Sequence, residues 1–293
     1  MRPSRPGLAA LLVAVALAAP AAVEARADSV PSFDHVYVIV LENHSFKSIV
    51  GNRHAPYLNR LISQNGLATR YYAIAHPSQP NYLALFAGST FGIRDDKVHD
   101  LSHSNLVNQL NQHDRSWRVY AQGLPGQCST VAKAWSDGDL LGAPGWYVRK
   151  HEPAISFTNI SGRPARCRNI VRLEAFDPAA ADFELIIPNQ TNDMHDGTVG
   201  QGDAFLEAFV PRILDSPAFA NSLLVITFDE GSTNAYGGGR IATIVVSPHT
   251  KPGTRSSVHH DHYSLLRTIE RSWHLGCMRH SCGAGDLGEL FNR

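Results

Sequence analysis

Apolar runs of strand length alternate along this chain with segments of helical period. His35 to Leu41 (HVYVIVL), Thr69 to Ile74, Trp117 to Tyr120, Phe183 to Ile187, Leu223 to Phe228 (LLVITF) and Ile241 to Val246 (IATIVV) predict strands. The last two are strongly apolar, as strands buried on both faces of a parallel sheet are. Between them, Ala55 to Asn65, Pro80 to Gly88, Ser104 to Gln112, Asp203 to Leu214 and Asp261 to Trp273 predict helices. Leu58, Leu61 and Ile62 share one face of the first, and Leu265, Leu266 and Ile269 share one face of the last. This alternation predicts an α/β fold, a three-layer sandwich around a mainly parallel central sheet. Residues 123–180 are rich in Gly, Pro and Arg and lack clear periodicity, so they are expected as an irregular insertion over the sheet edge. No linker-like stretch divides residues 28–293, which are expected to form one domain.

In open α/β sheets ligands bind beyond the carboxyl ends of the strands, so the residues after each apolar run matter most. Glu42-Asn43-His44 follow the first run and Asp229-Glu230-Gly231 follow LLVITF. Carboxylate and amide oxygens gathered at one edge suit a divalent cation, although each alone is equally a solvated loop charge or helix cap. His76-Pro77-Ser78-Gln79-Pro80-Asn81-Tyr82 leads into a helix with Pro in its first turn. There Ser78 faces open backbone N–H groups and the positive end of the helix dipole, a setting for a phosphate or for a plain N-cap. Asp193, His195 and Asp196 lie in a polar loop after the FELII run, fit to bind phosphate, relay protons, ligate metal or simply turn the chain. His259, His260 and His262 cluster at the last helix start, where a neutral His can reach an anion or protonate a leaving group.

Charge and cysteine usage narrow the setting. Lys+Arg and Asp+Glu both number 26 in 293 residues. Residues 1–27 carry Arg2 and Arg5, an apolar stretch from Leu8 to Ala19 and the small-x-small end Ala25-Arg26-Ala27, the pattern of a cleavable signal peptide. That apolar stretch is shorter than the roughly 20 residues of a spanning helix, and no later stretch is longer, so stable membrane insertion is not expected. Removing the leader takes away three Arg and one Glu and leaves a net charge near −2, which speaks against nucleic acid as a partner. Cys128, Cys167, Cys277 and Cys282 form an even set that fits disulfides in a secreted or periplasmic protein. Three connectivities exist, and the local pairing Cys277 with Cys282 and Cys128 with Cys167 is the expected one.

Taken in order, ENHSF (42–46), HPSQPNY (76–82), PNQTNDMHDG (188–197), LLVITFDEG (223–231) and HYSLLRTIE (262–270) resemble the motif series of a family of bacterial and plant phosphoesterases. That family holds secreted acid phosphatases and phosphatidylcholine-type phospholipases C within the alkaline-phosphatase-like superfamily, and the resemblance covers roughly residues 33–275. It implies a metal-dependent hydrolase of small phosphate esters. Glu42, Asn43, Ser78, Asp229 and Glu230 would be metal ligands and Ser78 also the nucleophile, passing through a phosphoserine. His195 and His262 would face phosphate or donate a proton, and His76, Asn81, Asp193 and His260 would shape the substrate pocket. The chain lacks room for the C-terminal domains of the bacterial phospholipases, which favours a monoesterase over a phospholipase C. No sulfatase-type Cys/Ser-x-Pro-x-Arg pattern surrounds Ser78. A non-catalytic binding protein on a hydrolase scaffold is the reading from another class, against which all five expected ligand positions are present.

Overall fold

The computed structural model describes Met1, residues 30–138 and residues 143–292; apart from Met1, the expected leader lies outside the described residues. Among the described residues the central sheet has nine strands. Along the chain the strands are β1 (His35–Leu41), β2 (Gly66–Tyr72), β3 (Trp117–Ala121), β4 (Lys133–Ser136), β5 (Gly145–Val148) and β6 (Ile170–Arg172). They continue with β7 (Phe183–Ile187), β8 (Ser222–Phe228), β9 (Arg240–Val246), β10 (Arg255–Ser256) and β11 (His260–Asp261). The sheet order is β10-β2-β9-β8-β1-β7-β3-β6, with β11 continuing alongside β2, while β4 and β5 pair separately. β1 lies between β7 and β8, parallel to both. Its residues Val36 to Leu41 are buried, as the unbroken apolar run requires.

One expectation is corrected. β9 runs antiparallel to both β8 and β2. Residues 229–239 join β8 to β9 without a crossover helix, and a parallel return needs a longer connection. The burial of both faces remains, which is why IATIVV carries the apolar signature of a parallel strand. The double reversal through β9 leaves β2 pointing the same way as β8. The chain therefore leaves β1, β2, β7 and β8 at one edge, where the motif residues begin.

Local chemistry sets the other boundaries. The helix expected over 203–214 starts earlier, at Val199, because Thr198 and Gln201 form a capping box. It stops at Phe209, and Pro211 opens a separate turn, Pro lacking the N–H that would continue the ladder. β2 begins at Gly66 rather than Thr69 and ends at Tyr72; beyond it the Ala73 N–H donates to the Gly239 carbonyl and Asn81 Oδ1 accepts those of Ile74 and Ala75. The helix Gln79–Ala87 is buried on all sides and packs on His262–Ser272, whose Asp261 cap bonds Ser264 N–H. Pro56–Gln64 packs on Val199–Phe209, and the Asp203 carboxylate of the latter accepts the Tyr57 and Leu58 N–H groups at 2.9 and 2.8 Å.

Within 123–180 the chain builds the β4–β5 hairpin, several single-turn helices and β6, which extends the main sheet beside β3. Disulfides join Cys128 to Cys167 and Cys277 to Cys282, the expected pairs. No helix among the described residues is long and apolar enough to cross a membrane.

Candidate active site

Glu42 stands directly after β1 and is wholly buried. Its Oε2 accepts the Ser78 hydroxyl at 3.0 Å and its Oε1 accepts the Tyr82 hydroxyl at 2.5 Å. Ser78 sits where the helix Gln79–Ala87 begins but makes no side-chain cap bond, so its hydroxyl is given to Glu42. The Gln79 N–H, one of the groups expected to stand open there, donates to Asp96 Oδ1 at 3.0 Å.

Neighbouring strands bring further carboxylates. Asp229 follows β8, in register with Glu42 across the parallel ladder, and its Oδ1 accepts the Asn43 N–H at 3.0 Å. Asn43 takes a positive φ of 57° to present that N–H, a conformation Asn tolerates better than most residues. Asp193, beyond β7, offers its carbonyl to the Glu42 N–H at 2.8 Å and its Oδ1 to the His195 N–H at 2.8 Å. His151 completes the group: Nε2 lies 3.2 Å from Glu42 Oε1 and Nδ1 lies 3.3 Å from Asp193 Oδ2. Its ring stacks on Tyr82 at 5.3 Å.

Burial and mutual repulsion govern the electrostatics. Burial, then Asp229 and Asp193, hold the Glu42 carboxyl well above the usual range. Burial also lifts Asp193 well above it and raises Asp229, although the Asn43 N–H and the Ser78 hydroxyl pull the latter back. Glu230 rises to about 7 through burial and Asp229, opposed by His76. His151 is held well below the ordinary imidazole value by burial, Lys150 and His195. Four carboxyls and a neutral imidazole packed this way cost free energy unless a cation or protons neutralise them.

The donor set fits a divalent cation. Asp193 Oδ2, Asp229 Oδ2 and both His151 nitrogens are buried without a hydrogen-bond partner. One ligand atom from each of Glu42, His151 and Asp193 lies within 4.8 Å of the others. Two ligands held at about 2.1 Å by one ion stand about 3 to 3.4 Å apart; His151 keeps that spacing to Glu42 through Nε2 and to Asp193 through Nδ1, so a single ion would take one of the two nitrogens and draw the third residue in. These three residues could hold a metal ion.

The remaining expected residues spread over two shells. Glu230 turns its carboxylate to His76 Nδ1 at 2.7 Å, and His76 Nε2 meets the Thr233 carbonyl. Asn81 spends its amide bracing the Ile74–Ala75 backbone. His262 is buried, with Nε2 on the Asp229 carbonyl at 2.6 Å and Nδ1 near the Tyr71 hydroxyl. It touches the site through the backbone of Asp229. His260 is not brought to the cluster: it lies in β11, paired with Glu289 at 2.5 Å. His195 reaches the edge of the group, its ring 5.9 Å from that of His151 and its Nδ1 on Asp196.

Two participants escaped the sequence reading. His151 follows the apolar stretch Gly145–Val148, so the rule of inspecting strand ends reaches it, but that run is four residues long in a segment without periodicity. Tyr82 lies inside the HPSQPNY motif, where helical burial explains it as well.

The sequence pattern of the phosphoesterase family matches residues 52–276. The chain belongs to the phosphoesterase family. It is 35% identical to a phosphatidylinositol-3-phosphatase of Mycobacterium tuberculosis, over 97% of this chain and 91% of that protein. A probable acid phosphatase of Kluyveromyces lactis is 32% identical over 89% of the chain, which spans 63% of the yeast protein. A solved structure from Vibrio parahaemolyticus in the alkaline phosphatase superfamily superposes with a TM-score of 0.56 at 10% identity, covering 87% of this chain and 71% of that one, and so shares the fold. This phosphoesterase is a phosphoric ester hydrolase, built on a mainly parallel α/β sheet with a candidate metal site at its carboxyl edge.

Proposed function

We propose that this chain is an exported, metal-dependent phosphomonoesterase in which Ser78 is the nucleophile and a phosphoserine the intermediate. The observation that carries this reading is the Ser78 hydroxyl, 3.0 Å from the buried Glu42 carboxylate at the strand-end cluster. Glu42, Asn43, Ser78, Asp229 and Glu230 form the ligand set implied by the family resemblance, and Glu42, His151 and Asp193 form the set drawn together by geometry. Glu42 is common to both. A divalent cation bound there supplies positive charge that lowers the pKa of a hydroxyl and neutralises a transferring phosphoryl group.

Glu42 Oε2 takes the Ser78 proton as Oγ attacks phosphorus. The Oγ–P bond forms while the P–O bond to the alcohol breaks, and His195, at the solvent edge, protonates the departing alkoxide. His195, having given up its proton, takes one from the water that attacks the phosphoserine; the Oγ–P bond breaks, and Glu42 returns the proton to Ser78 Oγ. His262 holds the Asp229 backbone in place, and His76 does the same for the Glu230 carboxylate. Two disulfides favour an oxidising compartment and support export.

The test is hydrolysis of p-nitrophenyl phosphate beside p-nitrophenylphosphorylcholine, with and without chelator. Chelator-sensitive release from the monoester alone is expected. Release from the diester alone moves the assignment to a phospholipase C, and silence on both with metal restored leaves a binding protein. Ser78→Ala lowers kcat by about 10³-fold or more with fold and metal content intact. Undiminished turnover removes Ser78 as the nucleophile.

A further inference from the structure

Beside the acidic cluster lies a pocket of about 270 Å³ lined by Gln79, Asp96, Lys97, Val98, Ala132, Lys133, Val148, Arg149, Lys150 and Gln190. Three of these are chain or loop neighbours of the site: Gln79 follows Ser78, Lys150 precedes His151, and Gln190 lies in the loop that carries Asp193. Its charge is opposite to that of the cluster. Four cations line it against one carboxylate, Asp96, which is taken by Lys150 at 2.7 Å. Arg149 spends one arm on Asp100 at 2.6 Å, yet its Nε is buried without a partner.

Two lysines keep their charge available. Lys97 is mostly exposed and reaches Asp95 only at 3.5 Å. Lys133 pairs with no carboxylate among the described residues and rests over the Trp146 ring at 4.1 Å. The register of the β4–β5 hairpin puts Lys133 opposite Val148 and Trp135 opposite Trp146, so this pocket wall continues into the Trp135–Trp146 pair. Trp135 is half exposed.

We propose that this pocket is a specificity subsite for a second anionic group in the substrate's leaving alcohol, with Lys97 and Lys133 as its determinants. The inference rests on the phosphomonoesterase reading. On this reading an ester seated at Ser78 directs its alcohol toward the neighbouring wall, which is cationic with an apolar, aromatic margin. A phosphodiester or second phosphate carried by that alcohol meets the lysines within a partly enclosed wall, where charge recognition is stronger than in open water. An alcohol with no charge gains nothing there.

The experiment compares phenyl phosphate, with one anionic group, and soluble dibutanoyl phosphatidylinositol 3-phosphate, which carries a monoester and a diester. Lys97→Gln/Lys133→Gln is expected to raise KM for the doubly anionic substrate by about fivefold, with kcat/KM for phenyl phosphate unchanged. Lys133→Arg restores most of the loss, and added NaCl erodes the wild-type preference. Equal effects on both substrates, or on neither, overturn the subsite. A loss seen only when the lipid is embedded in vesicles with anionic lipids also overturns it, assigning the lysines to a bilayer surface. The two proposals fail separately: an inactive Ser78→Ala with insensitive lysine variants removes the subsite alone, whereas an active Ser78→Ala removes the reaction it serves.

Discussion

Glu42 is the side chain on which the site converges, receiving Ser78 and Tyr82 as donors while His151 stands at 3.2 Å. The two candidate ligand sets differ in their other members, and single substitutions separate them. His151→Ala is expected to lower divalent-metal affinity tenfold or more, as loss of one of few protein ligands does. Metal analysis of dialysed protein reads this out. A full complement of metal in His151→Ala, with loss in Asn43→Ala, assigns the ion to the set implied by resemblance instead. Tyr82→Phe removes a donor from a buried carboxylate and costs about 1–3 kcal/mol of stability in a denaturant titration run with chelator. A variant as stable as wild type shows that Glu42 replaces the lost partner.

At the scale of elements, strand β7 buries an acid in its interior. Glu184 Oε1 accepts the Ala181 N–H at 3.1 Å and Oε2 has no partner. Burial, with a smaller push from Asp177, raises this carboxyl from 4.5 to about 8. Between those values the unfolded chain has released its proton while the fold retains it, so the fold loses stability as pH rises through the window. Glu184→Gln keeps the acceptor and removes the charge. It is expected to raise Tm at pH 8 and leave it nearly unchanged at pH 4.5. A parallel shift at both pH values rules out this titration. The disulfides are the other element-level device. Cys128–Cys167 closes a separation of 39 residues around His151, against 5 for Cys277–Cys282. Loop entropy assigns about 4 kcal/mol to the first and about 2 kcal/mol to the second. Serine pairs at 128/167 are therefore expected to unfold earlier in urea than those at 277/282, and equal losses would point to strain rather than chain entropy.

For the whole molecule, carboxylates reach one place from the ends of β1, β7 and β8, and the fold tolerates them only when they are neutralised. Protons do this at low pH and a cation does it at high pH. Because Glu42, Asp193 and Asp229 titrate above their ordinary values, the penalty in metal-free protein grows as pH rises. Chelation is expected to lower Tm by several degrees at pH 8 and little at pH 5. A chelator effect independent of pH would show that the bound ion is not neutralising these groups.

The amino-acid sequence by itself determined the six long strands and the five main helices, because buried strands demand apolar runs and amphipathic helices demand a 3.6-residue period. It also marked Glu42 and Asp229, since a polar residue directly after a buried strand must emerge at the sheet edge, and Ser78 and Asp193 in the polar segments that follow β2 and β7. Only the tertiary structure decided the rest. The direction of β9 depends on how tightly residues 229–239 turn, and its two-faced burial hides that direction in the composition. His151 comes from a segment whose short elements have no period, and it reaches Glu42 through long-range packing of Arg149–His151 against the helix Gln79–Ala87. His260 and His262 are two residues apart, yet one pairs with Glu289 and the other with Asp229. Their separation follows from β11 ending and a helix beginning between them, a change of path that adjacency in the chain does not encode.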